Sequence, residues 1–137
     1  MKIFGIICEY NPFHNGHARQ LEFCRSNGAD LIFCAMSGDF TQRGEPAVLE
    51  KRIRAKHAVQ SGADLVAELP LPYAAAGAKD FAEGGVKLLE KMGCTHICFG
   101  SECGNISLLE KAAELIDSDS FNNSLKLHIK AGKSYPV

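Results

Sequence analysis

The sequence has few of the features that mark secreted, membrane-bound or metal-binding proteins. No apolar run is long enough to span a bilayer. The first residues lack the basic start, long apolar stretch and small-residue cleavage site of a secretory signal. No two cysteines are spaced as C-x-x-C. These absences predict a cytoplasmic protein that makes no contact with membranes.

The charge is almost balanced, with a net charge of −1 over 137 residues. A chain of this length can form one domain with a real core, and its overall charge does not favour nucleic acid. Between positions 41 and 60, however, there are five basic residues and two acidic ones. Such clusters are usually solvated surfaces. This one follows a candidate active-site loop, which favours a role with phosphate or RNA.

The six cysteines are expected to be reduced and free of metal. Cys8, Cys34 and Cys98 lie in apolar runs, where cysteine behaves as a small hydrophobic residue. Cys94, Cys98 and Cys103 could form a metal site with His96, but their spacing does not match the zinc patterns. We therefore predict no metal ligands among the side chains.

The hydrophobic pattern predicts an α/β protein with a doubly wound parallel sheet. Gly28, Gly62 and Gly93 follow helical segments at intervals of 34 and 31 residues, about the length of one β-α-β step. The predicted strands are 2–8, 31–36, 65–69 and 95–99. The predicted helices are 16–26, 46–61, 78–92 and 106–116, with a weak helical pattern at 125–129. In such folds strand one is central, and ligands bind between strands one and four.

The stretch from Glu9 to His17 connects the first strand to the first helix. The start of a helix offers unpaired N–H groups and the positive end of a dipole, which suit a phosphate. Gly16 allows a close backbone approach, and His14 and His17 are able to donate hydrogen bonds to phosphate oxygens. The alternative is that the two histidines are ordinary surface residues of a loop.

Two further loops are expected at the same edge of the sheet. They are residues 37–45, after the second strand, and residues 100–105, after the fourth. Each loop alone is weak evidence, but together they predict one cleft. In that cleft Gly100 should face the His14-to-His17 turn.

Three segments of the chain resemble known motifs. EYNPFHNGH at positions 9–17 is similar to the motif of HIGH-type nucleotidyltransferases, and more closely to the start of the bacterial tRNA(Met) cytidine acetate ligase family. MSGDFTQRGEPA at 36–47 and FGSE at 99–102 resemble that family's second and third motifs. The resemblance implies a Rossmann-like HIGH-type nucleotidyltransferase fold. It also implies an enzyme that activates acetate with ATP and acetylates the wobble cytidine of elongator tRNA(Met) to N4-acetylcytidine.

The resemblance also implies roles for individual residues. His14 and His17 would be catalytic, and Asp39, Gln42 and Arg43 would belong to a substrate loop. Asp39 and Glu9 could instead brace their own loops. Mg²⁺ is expected to accompany ATP, although no dedicated pair of carboxylates is evident. The implied ATP contacts are Ile7, Cys8, Glu9, Tyr10, Asn11, Pro12, Phe13, His14, Asn15, Gly16, His17 and Gly100.

Members of the family continue well beyond position 137. We therefore expect residues 1–137 to be a single nucleotidyltransferase-like ATP-binding domain that is truncated at its C-terminal end, and to be inactive alone. The resemblance implies that tRNA(Met) binds through the full-length protein. Two other functions remain open: an adenylyltransferase acting on a small coenzyme precursor, and a non-catalytic nucleotide-binding fragment. No oligomeric state is predicted.

Overall fold

Four parallel strands form one sheet in a computed structural model that describes residues 1–132. The strands are β1 (Ile3–Cys8), β2 (Leu31–Ser37), β3 (Leu65–Leu69) and β4 (His96–Ile97). Their order in the sheet is β3-β2-β1-β4. The predicted parallel sheet, with the first strand between the second and the fourth, is therefore confirmed.

The strand register brings the carboxyl ends of β1 and β2 to the same level. Ile3 is opposite Leu31, and Cys8 is opposite Met36. Chain order reverses at β1, because β2 pairs with one of its edges and β4 with the other. This is the arrangement in which open α/β sheets leave a crevice for ligands.

Six helices accompany the sheet within residues 1–132. They are α1 (Asn15–Ser26), α2 (Lys51–Gln60), α3 (Leu71–Ala74), α4 (Ala78–Lys91), α5 (Ile106–Ile116) and α6 (Asp119–Lys130). The chain divides into two compact units, Met1–Phe99 and Gly100–Val137. The first unit contains the sheet and α1 to α4, and the second contains α5 and α6.

One face of the sheet packs against α1 and α2. Ile6, Ile32 and Cys34 are buried there in one cluster with Leu21 of α1 and Ala58 of α2. Removing these side chains from water stabilises the first unit by about 25 cal/mol per Å² of apolar surface. The alternation of side chains along β1 sends the odd-numbered residues to the other face.

On that other face α4 lies unusually close to β1. A Cβ atom added to Gly5 would lie 2.7 Å from Leu89 Cδ1, and one added to Gly85 would lie 2.6 Å from Ile7 Cδ1. Both glycines are thus needed for the close approach of helix to strand. Helices flank both faces of the sheet, which confirms the doubly wound architecture.

Helix α2 begins five residues later than its predicted start at position 46. Residues 46–50 are held by bonds from the surrounding loop instead, since Phe40 forms a bridge with Pro46 and the Ala47 N–H donates to the Asp39 carbonyl at 2.9 Å. Tertiary contacts have overridden the local preference of Pro46 for a first helical turn.

Three other elements differ in extent from their predictions. β4 spans only His96–Ile97, although the pairing with β1 continues through a Cys98 N–H bond to the Gly5 carbonyl at 2.9 Å. The segment after β3, for which no helix is predicted, contains the short helix α3. The weak pattern at 125–129 lies inside the longer helix α6, which Ser118 caps with its side chain.

A bilayer-spanning helix is absent from residues 1–132, because none of the helices combines the needed length and hydropathy. The same residues contain no group of three or more His, Cys, Asp or Glu side chains placed to share a metal ion. All six cysteines are free thiols.

Candidate active site

The turn after β1 is built on a buried tyrosine. Tyr10 has φ of 49°, a left-handed conformation that costs a non-glycine residue about 1–2 kcal/mol. Its side chain is 1% exposed, and its ring centroid lies 4.9 Å from that of Phe13 and 4.8 Å from that of His17. Burial of this aromatic cluster stabilises the turn, and its ring contacts support the His17 side chain.

His14 and His17 cap the first turn of α1 reciprocally. His14 Nδ1 accepts a hydrogen bond from the Gly16 N–H at 3.1 Å, and His17 Nδ1 accepts one from the His14 N–H at 3.2 Å. This is a capping box made by two histidines. The two rings are stacked, with centroids 3.7 Å apart and planes 21° from parallel.

The caps determine which ring nitrogens can contact a ligand. A backbone N–H only donates, so each Nδ1 atom must present a lone pair, and each neutral ring must carry its proton on Nε2. Burial, and then the neighbouring His14, lower the pKa of His17 below its usual value. At neutral pH His17 therefore offers an Nε2–H donor on an uncharged ring, and the cap leaves Nε2 of His14 facing outward from the same turn.

NMR can test this protonation state. We expect long-range ¹H–¹⁵N spectra at pH 7 to show the Nε2–H tautomer for both rings, and His17 to stay neutral below the ordinary pKa of a histidine. Because the folded pKa of His17 lies below the unfolded value of about 6.5, its contribution to stability is complete above that pH. The contribution falls as the pH drops from there towards the folded pKa. A protonated Nδ1 on either ring at pH 7 would contradict the capping geometry.

The first-turn amides are less available to a phosphate than the sequence predicts. The Gly16 N–H is bonded to the His14 ring, and the N–H groups of His17 and Ala18 donate to the His14 carbonyl at 2.9 and 3.2 Å. The expectation of unpaired amides at the helix start is therefore wrong at Gly16 and His17, whereas the Ala18 bond is the first regular bond of the helix. The helix dipole remains, and no acidic residue lies in the first turn to oppose an anion.

The loop after β2 lies directly on the turn after β1. We call residues 38–50 the β2 loop and residues 9–14 the β1 loop. The Glu9 carboxylate accepts the Gln42 N–H at 2.5 Å, and the Asn11 side-chain carbonyl accepts the Val48 N–H at 2.7 Å. Side chains of the first motif thus fix the backbone of the second, and Glu9 braces the β2 loop.

The predicted substrate-loop residues differ in how free their side chains are. Asp39 forms an ion pair with Lys51 at 3.2 Å, which favours a bracing role. The Gln42 side chain donates to the Ala76 carbonyl at 3.0 Å. Arg43 is exposed, so it is the member of this set whose charge is presented to solvent.

Some of the predicted ATP contacts have side chains turned into the protein. Ile7 packs against α4, and the Cys8 thiol donates to the Ala35 carbonyl over a sulfur distance of 3.8 Å. The Tyr10 hydroxyl lies 3.5 Å from Cys34 Sγ. Burial raises the pKa of both Cys8 and Tyr10, so both remain protonated. The Tyr10 side chain is buried and those of Ile7 and Cys8 are partly buried, so their backbone atoms are the more accessible contacts for a nucleotide.

The β4 side of the crevice is tied to α1 by Gln20. Its side-chain amide donates to the Cys98 carbonyl at 3.3 Å, which links α1 to the carboxyl end of β4 beside β1. Gly100 begins the second unit, and its position across from His17 stays a prediction.

Sequence reasoning missed the importance of Arg54. It belongs to the basic cluster that was interpreted as a solvated surface or a contact for phosphate or RNA, yet its exposed fraction is 0%. Its guanidinium donates to the backbone carbonyls of Leu49, Glu9 and Gly38. The available signal was weak: Arg54 lies four residues before Ala58, on the helix face that α2 buries.

The basic cluster is correspondingly smaller at the surface. Lys51 is occupied by ion pairs with Asp39 at 3.2 Å and Glu68 at 2.9 Å. Arg43, Arg52 and Lys56 retain exposed side chains. Three exposed cations are a weaker RNA surface than the five-residue cluster indicates.

The comparisons with known proteins extend over the whole chain. A family model described as HIGH Nucleotidyl Transferase matches residues 1–137. The tRNA(Met) cytidine acetate ligase of Acetivibrio thermocellus is 48% identical over 141 residues, covering 100% of this chain and 34% of that protein. The Bacillus subtilis protein of the same name is 46% identical over 140 residues, covering 100% of this chain and 34% of that protein.

A solved structure is similar to this chain as well. The crystal structure of Thermotoga maritima TmcAL bound with alpha-thio ATP has a TM-score of 0.90 and 41% sequence identity to it. The match covers 99% of this chain and 34% of that one. The chain therefore spans about a third of the length of the curated relatives it matches.

Proposed function

Because the chain belongs to the HIGH nucleotidyl transferase family, we propose that it forms the ATP-binding part of a tRNA(Met) cytidine acetate ligase. The observation that carries the proposal is the histidine capping box at the carboxyl end of the central strand. The names of the relatives, and the ATP analogue named for the Thermotoga maritima protein, support it. Residues 1–137 would be one nucleotidyltransferase-like domain of a longer cytoplasmic protein.

The proposed reaction has two steps. An acetate oxygen attacks the α-phosphorus of ATP, the bond to the β-phosphate breaks, and pyrophosphate leaves with the bonding electrons. The N4 amine of the wobble cytidine then attacks the acetyl carbonyl, loses a proton, and releases AMP. The products are N4-acetylcytidine, AMP and pyrophosphate, so all atoms of ATP and acetate are accounted for.

In the first step, residues of this chain stabilise the negative charge of the phosphates. His14 and His17 donate through Nε2 to phosphate oxygens, where negative charge moves as pyrophosphate departs. The positive end of α1 adds a fixed favourable field. The backbone of Ile7 to Phe13 and of Asn15 to His17 lines the nucleotide, Gly100 is the remaining nucleotide contact that the resemblance implies, and Asp39, Gln42 and Arg43 belong to the substrate loop.

Mg²⁺ would enter with ATP, bound by its phosphate oxygens. The carboxylates of the two loops do not suit it as dedicated ligands, since Glu9 accepts the Gln42 N–H and Asp39 pairs with Lys51. Mg²⁺ requires several oxygen ligands at about 2.1 Å. We therefore propose that the Glu9 and Asp39 side chains do not bind the Mg²⁺ ion.

The test is to incubate the complete protein with ATP, isotope-labelled acetate and tRNA(Met), digest the RNA, and measure N4-acetylcytidine by mass spectrometry. We expect labelled product and equal amounts of AMP and pyrophosphate. The 137-residue chain alone should give no product, because a tRNA needs a broad basic surface and this chain has a net charge of −1.

Two controls separate the competing functions. Mononucleotide coenzyme precursors replace acetate and tRNA, and turnover with them alone would indicate an ordinary adenylyltransferase. Acetyl-CoA replaces ATP and acetate, and product formed only with acetyl-CoA would refute acetate activation. ATP binding without turnover in any mixture would indicate a non-catalytic nucleotide-binding protein.

A further inference from the structure

Arg54 is the largest fully buried side chain of the described residues. Its Nε atom donates to the Leu49 carbonyl at 2.9 Å, and its two terminal nitrogens donate to the carbonyls of Glu9 and Gly38. The three acceptors come from the end of β1, the end of β2, and the segment that enters α2. One side chain thus joins the β1 loop, the β2 loop and a helix.

The chemistry of these contacts explains why the residue is an arginine. Carbonyl groups beyond the last rung of a sheet are buried acceptors that need donors. The planar guanidinium offers five N–H groups in a fixed fork, whereas a lysine ammonium is a single point of charge. Burial lowers the pKa of Arg54, but an arginine side chain stays charged in proteins.

Burial of this cation is costly, because its hydrogen-bond partners are neutral carbonyls. Moving an ion out of water costs several kcal/mol in real proteins, even after relaxation. An apolar side chain would fill the same volume without that cost. The guanidinium thus fixes the geometry of the loops, which an apolar side chain could not do.

The contacts lead from Arg54 towards the catalytic histidines. Glu9, whose carbonyl accepts from Arg54, precedes Tyr10, and the Tyr10 ring lies 4.8 Å from that of His17. On the other side, Gly38 leads into the β2 loop, which reaches the β1 loop again through Gln42. Arg54 is the contact that also anchors both loops to α2.

We propose that Arg54 is a positioning residue, which holds the β2 loop in register with the β1 loop so that the substrate loop faces the nucleotide side. It acts through the loops and does not touch the reacting atoms. The nucleotide side has its own support in the histidine caps and the Tyr10 cluster. Loss of Arg54 should therefore affect the reaction with acetate more than the binding of ATP. This inference rests on the proposed function.

The experiment compares Arg54→Lys and Arg54→Gln with Arg52→Lys and Arg52→Gln in the complete protein. Arg52 is on the same helix, with a side chain that is 88% exposed, which makes it a matched control. For the Arg54 variants we expect acetate-dependent ATP–pyrophosphate exchange to fall by about 10²-fold, the size of effect that a misplacement of about 1 Å produces. The Kd for ATP should change by less than about threefold, a difference below 1 kcal/mol. Arg52 variants should match the unmodified protein in both.

Amide hydrogen exchange supplies a readout that does not depend on activity. The amides of Gln42 and Val48 join the two loops, and their protection should fall by about tenfold in the Arg54 variants as the loops open locally. The amides of His17 and Ala18 should keep theirs. Unmodified protein that lacks exchange activity would refute the proposed function, whereas the loss of amide protection in the variants would still support the positioning role.

Three results would overturn the proposal. One is exchange activity and loop protection in the Arg54 variants equal to those in the Arg52 variants. Another is a parallel loss of ATP affinity and activity, which would indicate a general structural role. The third is failure of both Arg54 variants to fold, which would make the residue a determinant of stability alone.

Discussion

Replacement of His17 by alanine in the complete protein is expected to lower the rate of acetate-dependent adenylate formation by about 10²–10³-fold, the usual cost of losing one donor to developing charge. The substitution removes the Nε2–H group that faces the phosphates in the proposed complex. It also removes the Nδ1 acceptor of the His14 N–H, so His14 loses the partner that orients it. Both consequences act at the same first turn of α1.

His128→Ala is the matched control, since His128 is an exposed histidine on α6 and has no place in the proposed site. Steady-state ATP–pyrophosphate exchange with saturating acetate measures the effect, and circular dichroism verifies that both variants are folded. Equal rates for the two variants would remove the phosphate role of His17. A rise in KM for ATP with an unchanged kcat would mean that His17 binds the ground state and the transition state equally.

The junction of β1 and α1 could be predicted from the sequence because its signals are local. A β-prone run, the turn containing His14 and Gly16, and a helical pattern closed by Gly28 all lie within 30 residues. The predicted helix at 16–26 is observed as Asn15–Ser26, and Gly28 has the left-handed φ of 84° that closes it. The HIGH-type nucleotidyltransferase fold implied by the motifs is confirmed by the family match and a TM-score of 0.90.

The conformation of the β2 loop and the burial of Arg54 could not be predicted, because the residues that cause them are far apart in the chain. Val48 is fixed by Asn11, a partner 37 residues away, and Arg54 bonds to Glu9, 45 residues away. A periodic pattern counts every arginine as polar, so it places Arg54 on the surface. Only the assembled strand ends and the segment that enters α2 create the three carbonyl acceptors that bind its guanidinium.

Replacement of Gly16 by alanine is expected to reduce the same activity by up to about 10²-fold, since a small displacement of a catalytic group has effects of this order. A Cβ at this position would lie 2.9 Å from His14 Cε1 and 3.0 Å from His14 Nδ1. These distances are too short for the ring to stay in place. The ring must shift, which weakens its bond to the Gly16 N–H and its stacking on His17.

The same substitution should leave the fold intact, and this separates a site effect from a loss of stability. Gly16 is inside α1 and has no left-handed φ, and alanine is favoured over glycine within a helix by about 1 kcal/mol. That gain offsets the lost cap, which is worth about 0.5–2 kcal/mol, so urea unfolding should show a change within about 1 kcal/mol. Ser26→Ala, at the other end of α1, is the control and should keep full activity. A Gly16→Ala protein as active as this control would show that the His14 ring need not lie over Gly16 for catalysis, because the added methyl group leaves it no room there.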